Sequence, residues 1–194
     1  MTKTMANPMR KSLLTALLAG LPLVAGTALA EESFAEWLFT LDRMKEVRPV
    51  DNESYAEECG ACHFAYPPGL LTEASWKKLL SPSALEDHFG ENAELDDVTL
   101  AEITGYVMTN SAEKSYYKRS RKITRSVVSM DEAPLRITEV SYIKRKHHEL
   151  TDSMVVENPD VRSLSNCNAC HTQAEQAVFD NDTVKVPNFD EWDD

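Results

Sequence analysis

The feature that most constrains this chain is a pentapeptide pattern that occurs twice, as CGACH at Cys59–His63 and as CNACH at Cys167–His171. The chain has four cysteines, and the two pentapeptides contain all of them. On a helix, both thiols and the imidazole of such a pentapeptide project toward one side, because positions i, i+3 and i+4 are neighbours. The fold must therefore bring two thiols and one imidazole together at two separate sites.

This spacing is typical of covalent haem attachment. The two thiols add to the vinyl groups on one edge of the porphyrin, and the histidine becomes the proximal iron ligand. A thioredoxin-like C-x-x-C does not need the histidine, a structural zinc site needs four ligands where the motifs offer six, and a disulfide framework leaves the repeated histidine unexplained. The sequence therefore predicts two covalently attached haem c groups. The residues that bind them are the cysteines and histidines of the two motifs: Cys59, Cys62, His63, Cys167, Cys170 and His171.

The first thirty residues predict an export signal. They contain three basic residues, then an apolar run, then an Ala-Leu-Ala cleavage site at 28–30, which is the order found in a secretory signal peptide. The apolar run is interrupted by Gly20, Pro22 and Gly26, and it is short for a membrane span, which needs about 20 apolar residues. An uncleaved anchor is the alternative. We expect cleavage before Glu31, a periplasmic location and no membrane span in the mature protein.

The charge of the chain bears on its partners. Removal of the three basic residues of the signal changes the formal net charge from −12 to −15. A surface this acidic repels nucleic acid and suits a redox partner with a basic docking face, although solubility alone explains the charge equally well. The one basic cluster lies between residues 113 and 133. We expect it either to form a solvated linker or to pair with haem propionates or with acidic residues of the other half.

The second axial ligand decides what each haem can do, since histidine or methionine closes the iron for electron transfer and an empty position admits small ligands. Three histidines lie outside the motifs. His88 follows a short helix in a loop with glycine and asparagine, from which it can fold back over the first haem. His147 shares an apolar helical stripe with Val140 and Ile143, whereas His148 is turned about 100° away. We predict His88 and His147 as the distal ligands.

Methionine is the main alternative as a distal ligand. Met108 lies beside the buried stripe of a helical pattern, and we interpret it as core packing. Met130 and Met154 lie in weakly patterned segments, and both stay open as iron ligands.

The chain is predicted to be mainly α-helical, with two haem domains after a signal peptide at 1–30. Residues 31–118 form a cytochrome c-like helical domain that binds haem 1, and its order of helices is that of small monohaem cytochromes. Residues 119–194 form a small, irregular α-helical domain that binds haem 2. This second domain has too few residues for an ordinary core, so haem must provide much of its buried apolar area, and we expect it not to fold without haem.

Local patterns place three helices in the first domain. An amphipathic helix is predicted within 32–47 from apolar residues at i, i+3, i+4 and i+7. The helix of the first motif is expected to begin at Asn52 or Ser54. A closing helix to about residue 112 is expected to begin with a capping box of Thr99 and Glu102.

Several stretches of the sequence together resemble the bacterial dihaem cytochrome c family. Two contain the motifs, ECGACHFAYPPGLL and NCNACHTQAEQAVFDNDTVKVP, and three lie outside them, DHFGENAELDD, SRKITRS and PLRITEVSYIKRKHHEL. The likeness runs from about Ser54 to Pro187 and includes the proline-rich turn after His63. Members of this family pair with sphaeroides haem protein, an oxygen-binding monohaem cytochrome.

The resemblance implies one domain of the ordinary cytochrome c type, one domain of unusual fold, and two haems with two histidine ligands each. The family's histidine before FG falls on His88, and its histidine after RK falls on His147. His148 stands where the family pattern implies an arginine. The resemblance also implies a role in passing electrons between a membrane cytochrome b and a small soluble haem protein.

Three functions compete at this point. We predict an electron carrier, not an enzyme, with no catalytic residue and no nucleic acid partner. The alternative is a dihaem peroxidase or nitrogen-oxide reductase, which needs one open iron and distal acid–base groups. A haem-based sensor is the third hypothesis, and the sequence offers it no recognisable signalling domain.

Overall fold

The computed structural model describes residues 46–127 and 133–189. Within these ranges the chain forms α-helices and no β-strand, which confirms the prediction of a mainly helical protein. The helices are α1 (Glu53–Glu58), α2 (Glu73–Leu79), α3 (Pro82–Glu86), α4 (Asp97–Thr109), α5 (Lys118–Ser126), α6 (Ser141–Lys146) and α7 (Cys167–Cys170). Short 3-10 helices lie in the connections at Pro68–Leu70, Ala112–Lys114, Ile137–Glu139, Asp152–Met154, Ala174–Gln176 and Asn181–Thr183.

Some predictions lie outside the described residues. They are the signal peptide, nearly all of the helix within 32–47, and the candidate ligand Met130. In the part of the chain that is described, no helix has the length and apolar character that a membrane crossing requires.

Two helix starts can be compared with the sequence patterns. Asn52, one of the two predicted N-caps, is the N-cap of α1, because its side chain accepts a hydrogen bond (2.7 Å) from the backbone N–H three residues later. The predicted capping box of Thr99 and Glu102 is wrong. α4 begins one turn earlier because the Asp96 carboxylate accepts hydrogen bonds from backbone N–H groups, and it also accepts one (2.6 Å) from the Thr99 hydroxyl.

The two pentapeptides differ in backbone conformation. The expectation that both lie on helices is wrong for the first motif, because α1 ends at Glu58 and the chain continues as a turn. A Cβ at Gly60 in this turn would overlap the carbonyl oxygen of Ala56, so the close backbone approach that ends the helix requires glycine. In the second motif α7 covers Cys167–Cys170, and His171 is its C-terminal cap.

Tyr55 of α1 lies at the centre of the packing around the first motif. Its ring is buried and contacts Trp76 at 6.2 Å and Tyr106 at 5.3 Å between centroids. Its hydroxyl donates a hydrogen bond to the backbone carbonyl of Tyr66 (2.6 Å), and the Trp76 indole N–H donates to the carbonyl of Pro68 (2.8 Å). The aromatic rings therefore bury a large apolar area while their polar groups stay hydrogen-bonded.

One hydrophobic core extends through both predicted haem domains. α5 joins them, since Ile123 is fully buried and Ser120 on the same helix faces Gly69. The core continues into the C-terminal part of the chain through Val140, Tyr142, Ile143, Ala174, Ala177 and Phe179. The predicted border after residue 118 therefore lies at the start of α5, which packs against residues of both predicted domains. The division into two domains stays a prediction.

Arg119 of the basic cluster connects the two parts of the chain. Its guanidinium pairs with Glu46, donates a hydrogen bond to the carbonyl of Phe179 (2.9 Å), and faces the rings of Phe179 and Tyr142 at 5.6 and 5.9 Å. The side chain is buried. One member of the cluster thus pairs with an acidic residue of the other half, which is one of the two roles expected from the sequence.

Replacement of Gly69 by alanine is expected to destabilise the haem-loaded protein by about 1–3 kcal/mol, the usual cost of overpacking a core. A Cβ at this position would lie 2.6 Å from Oγ of Ser120 and 3.0 Å from Cγ2 of Val47. Urea denaturation measures the effect as a lower unfolding midpoint.

Gly105→Ala is the matched control. Gly105 is exposed within α4, and a Cβ there meets no described atom within 4 Å, so alanine is expected to stabilise the helix by about 0.5–1 kcal/mol. Midpoints that move in the same direction in both variants would contradict the packing of α5 against the 3-10 helix that contains Gly69.

Candidate functional site

The structure brings His88 opposite His63 of the first motif. The two ring centroids are 6.4 Å apart, and the ring planes differ by 23°. His88 lies two residues beyond α3, and its backbone N–H donates a hydrogen bond to the carbonyl of Glu91 (2.7 Å). The sequence pattern predicted His88 just after the helix that carries Trp76. In the structure that helix is α2, and the short helix α3 lies between it and His88.

A similar pair lies at the second motif. His147 and His171 have ring centroids 6.0 Å apart, with planes that differ by 75°. α6 ends at Lys146, so His147 is the C-terminal cap of the helix and not a residue within it. The adjacent His148 lies outside the pair, since its side chain is 70% exposed and its Nε2 lies 3.6 Å from a carboxylate oxygen of Glu149.

Both spacings fit a metal ion between the rings. Metal–imidazole bonds are about 2 Å long, and a ring nitrogen lies roughly 1 Å from its ring centre, so two imidazoles on opposite sides of one metal have centres about 6 Å apart. The measured separations of 6.4 and 6.0 Å agree with this value. Each motif histidine therefore has, opposite a histidine from outside its motif, the ring separation that one metal ion between them would require.

Hydrogen bonds to backbone carbonyls orient two of these rings. His63 Nδ1 lies 2.8 Å from the carbonyl of Phe64, and His147 Nδ1 lies 2.8 Å from the carbonyl of Ile143. A carbonyl can only accept, so Nδ1 carries the proton in both rings and the Nε2 lone pair is free for a metal.

The other two histidines, His88 and His171, have lowered pKa values. Burial lowers the pKa of His88, and it lowers the pKa of His171 to about 4. The facing histidine and a nearby arginine add to the effect, Arg136 at His88 and Arg119 at His171. Nδ1 of both rings is buried, with no hydrogen-bond partner within the described ranges. These two rings therefore favour the neutral form, which is the form that binds metals.

No disulfide joins the four cysteines, which all lie in the part of the chain that the structure describes, so each sulfur atom is available for addition to a vinyl group. Burial raises the pKa of Cys59 and of Cys167 to about 11, and it also raises the pKa of Cys170. Each motif supplies two thiols for the vinyl groups and one imidazole for the iron, which is the donor set that thioether attachment of haem needs.

A cavity in the C-terminal part of the chain brings together every predicted ligand of haem 2. Its walls include Cys167, Cys170, His147 and His171, and one charged side chain, Arg119, is buried beside them. The rest of the lining is mostly apolar and includes Leu70, Ile143, Leu150, Val155, Val161 and Phe179. A mostly apolar cavity with a few convergent polar groups is what a large flat cofactor needs.

The two motifs lie on one cleft. Residues Gly60–His63 of the first motif and Asn168 of the second both line it. Beside it, the ring of Tyr66 lies 4.8 Å from the ring of His63, and the Tyr66 hydroxyl donates a hydrogen bond (2.5 Å) to the carbonyl of Ser165. Burial raises the pKa of Tyr66 to about 12, so this hydroxyl keeps its proton. The two attachment sites are therefore neighbours.

Sequence reasoning missed Tyr66 and Arg136 at these sites, and it placed Arg119 only within the basic cluster. Tyr66 reaches the segment before the second motif, and Arg136 reaches Phe89 beside His88, through tertiary contacts that no spacing in the sequence marks. The available signals were weak: an aromatic residue three positions after His63, and an arginine in the basic cluster.

Comparison with known proteins agrees with this chemistry. A family model described as dihaem cytochrome c matches residues 55–179, which include both motifs and all four facing histidines. A dihaem cytochrome c structure from Shewanella baltica OS155 is 38% identical, with a TM-score of 0.59, and the match covers 73% of this chain and 98% of that one. A dihaem cytochrome c structure from Rhodobacter sphaeroides is 39% identical, with a TM-score of 0.58, over 68% and 98% of the two chains. No curated protein gives a match.

The chain belongs to the dihaem cytochrome c family. It carries two haem c groups, and its two cysteine pairs have the C-x-x-C-H spacing that attaches them.

We expect the two irons to give different low-spin EPR signals in the oxidised protein. Imidazole planes that are nearly parallel, as at His63 and His88, split the two π-type iron orbitals and give a rhombic signal. Planes that are nearly perpendicular, as at His147 and His171, leave these orbitals almost degenerate and give a much larger maximal g value. Two signals of the same type would contradict the ring orientations.

Proposed function

We propose that this protein is a periplasmic electron carrier that relays electrons between redox partners through two bis-histidine haems. In this proposal His63 and His88 bind the iron of haem 1, and His147 and His171 bind the iron of haem 2. Haem supplies one-electron redox chemistry when bound. The observation that carries the proposal is the pair of facing imidazoles at each motif, which would close both irons to substrates.

The chain's own groups also tune the irons toward electron transfer. Histidine in place of methionine lowers the reduction potential of a haem. The Nδ1 hydrogen bonds of His63 and His147 make these imidazoles more basic, which favours the oxidised iron further. Both effects support a carrier of low potential.

The contact between the motifs supports a relay. Because both line one cleft and Tyr66 connects His63 to the backbone just before Cys167, an electron would travel a short distance from one site to the other. Two neighbouring sites in one chain allow a donor to dock at one and an acceptor at the other.

The proposed partners are a membrane cytochrome b as donor and a small soluble haem protein as acceptor. The family resemblance suggests this pair, and the acidic composition favours partners with a basic docking face. Such charge complementarity speeds association and weakens as salt rises.

Alanine variants of the histidines test the ligand set. His88→Ala and His147→Ala should each open one iron, seen as a high-spin EPR signal in the oxidised protein and as immediate carbon monoxide binding after reduction. His148→Ala is the matched control, because this exposed ring should leave both spectra unchanged.

Three outcomes would contradict the proposal. If His148→Ala alone opens the second iron, the wrong histidine has been assigned. If His88→Ala changes nothing, haem 1 takes its ligand elsewhere. If the unaltered protein binds carbon monoxide within the mixing time, an iron is open, and the dihaem enzyme becomes the better hypothesis.

Export can be tested on the purified protein. We expect the periplasmic fraction to contain a chain that begins at Glu31, as determined by intact-mass measurement. Ala30→Arg should block cleavage, because the site requires small residues. A mature protein that retains Met1 would contradict the predicted signal peptide.

A further inference from the structure

The four proposed iron ligands are not equally constrained. His63 and His171 belong to the motifs, whose thioethers hold them at the haem. His63 and His147 each donate a hydrogen bond from Nδ1 to a backbone carbonyl. His88 has neither constraint: it lies outside the motifs, and its buried Nδ1 has no partner among the residues that the structure describes. Its position therefore depends on the loop that carries it.

This loop is short and contains a strained residue. Phe89 has a φ of 58°, in the left-handed region that non-glycine residues seldom adopt, and Gly90 follows with a φ of 105°. His88 and Glu91 exchange two backbone hydrogen bonds (2.7 and 3.3 Å), and the N–H of Gly90 donates to the Asp87 carboxylate (2.9 Å). Two further backbone hydrogen bonds, from Phe89 N–H to the carbonyl of Asp87 (2.9 Å) and from Ala93 N–H to the carbonyl of Leu85 (2.8 Å), hold the loop, but none of these bonds involves the ring of His88, whose orientation depends on side-chain contacts.

Arg136 supplies such a contact from the C-terminal part of the chain. Its guanidinium carbon lies 3.8 Å from the centre of the Phe89 ring, a close cation–π distance. The Phe89 ring in turn contacts the His88 ring, with 4.9 Å between centroids and 64° between planes. Arg136, Phe89 and His88 thus form a continuous series that ends at the proposed ligand.

We propose that His88 is the displaceable ligand of haem 1 and that Arg136 is the positioning residue that holds it, by stacking on Phe89. This inference rests on the ligand set of the proposed function. It makes haem 1, and not haem 2, the site that opens to small neutral diatomic molecules when its distal histidine leaves. The C-terminal part of the chain then controls that opening, although it binds the other haem.

The reaction of the reduced, haem-loaded protein with carbon monoxide measures how fast His88 leaves. Arg136→Lys keeps the positive charge and loses the planar group that stacks, and Phe89→Leu keeps apolar bulk and loses the aromatic face. In both variants we expect carbon monoxide to bind one haem per chain about two- to five-fold faster, which corresponds to an exposed cation–π contact of ordinary strength. Arg121→Lys, at an exposed arginine of α5, is the matched control and should leave the rate unchanged.

The same substitution made in the His88→Ala variant shows whether Arg136 acts through His88. In His88→Ala the ligand is gone, so adding Arg136→Lys should cause no further acceleration. The absorbance change when carbon monoxide binds to the reduced His88→Ala variant also identifies the signal of haem 1. The inference is overturned if Arg136→Lys and Phe89→Leu react at the unaltered rate, if Arg136→Lys accelerates the reaction equally without His88, or if haem 2 reacts.

A failure of the proposed ligand set would look different. In that case His88→Ala itself would leave haem 1 closed, and the rate with carbon monoxide would not depend on the residue at position 88. The low-spin EPR signal of haem 1 separates the two cases, since it persists in Arg136→Lys and disappears only when the axial histidine is absent.

Discussion

The proposed function depends on two pairs of imidazoles whose ring centroids have the separation that one bound metal ion would require. Each pair joins a histidine fixed beside two thiols to a histidine carried by another segment, at 6.4 Å for His63 and His88 and at 6.0 Å for His147 and His171. A second imidazole closes the iron for electron transfer, as a methionine also would at a higher reduction potential, whereas an empty position would admit small ligands. The bound haem would then connect segments of the chain as firmly as its core does.

The contacts between the two parts of the chain are made beside these pairs. Tyr66 contacts His63 and hydrogen-bonds the segment that leads into the second motif, while Arg119 lines the haem 2 cavity and pairs with Glu46. Arg136, in the C-terminal part of the chain, contacts the loop of His88 through the ring of Phe89. These contacts connect the surroundings of the two motifs through few side chains, an arrangement that fits the proposed relay.

Much of this site could be predicted because its chemistry is local. The thiol and imidazole spacing identifies the haem motifs, and the apolar stripe with Ile143 selects His147 over His148 for the side that faces His171, even though α6 ends before it. The end of α1 before the first motif and the start of α4 at Asp96 were missed, since a tight turn and a carboxylate decide them. Arg136 could not be found from sequence, because its role depends on a tertiary contact.

The most direct test of this account is a crystal structure of the haem-loaded protein in which the anomalous scattering of iron locates both metals. The account predicts one iron bonded to Nε2 of His63 and His88, and the other bonded to Nε2 of His147 and His171. An iron bound to a methionine or to His148, or one with an open axial position, would contradict it.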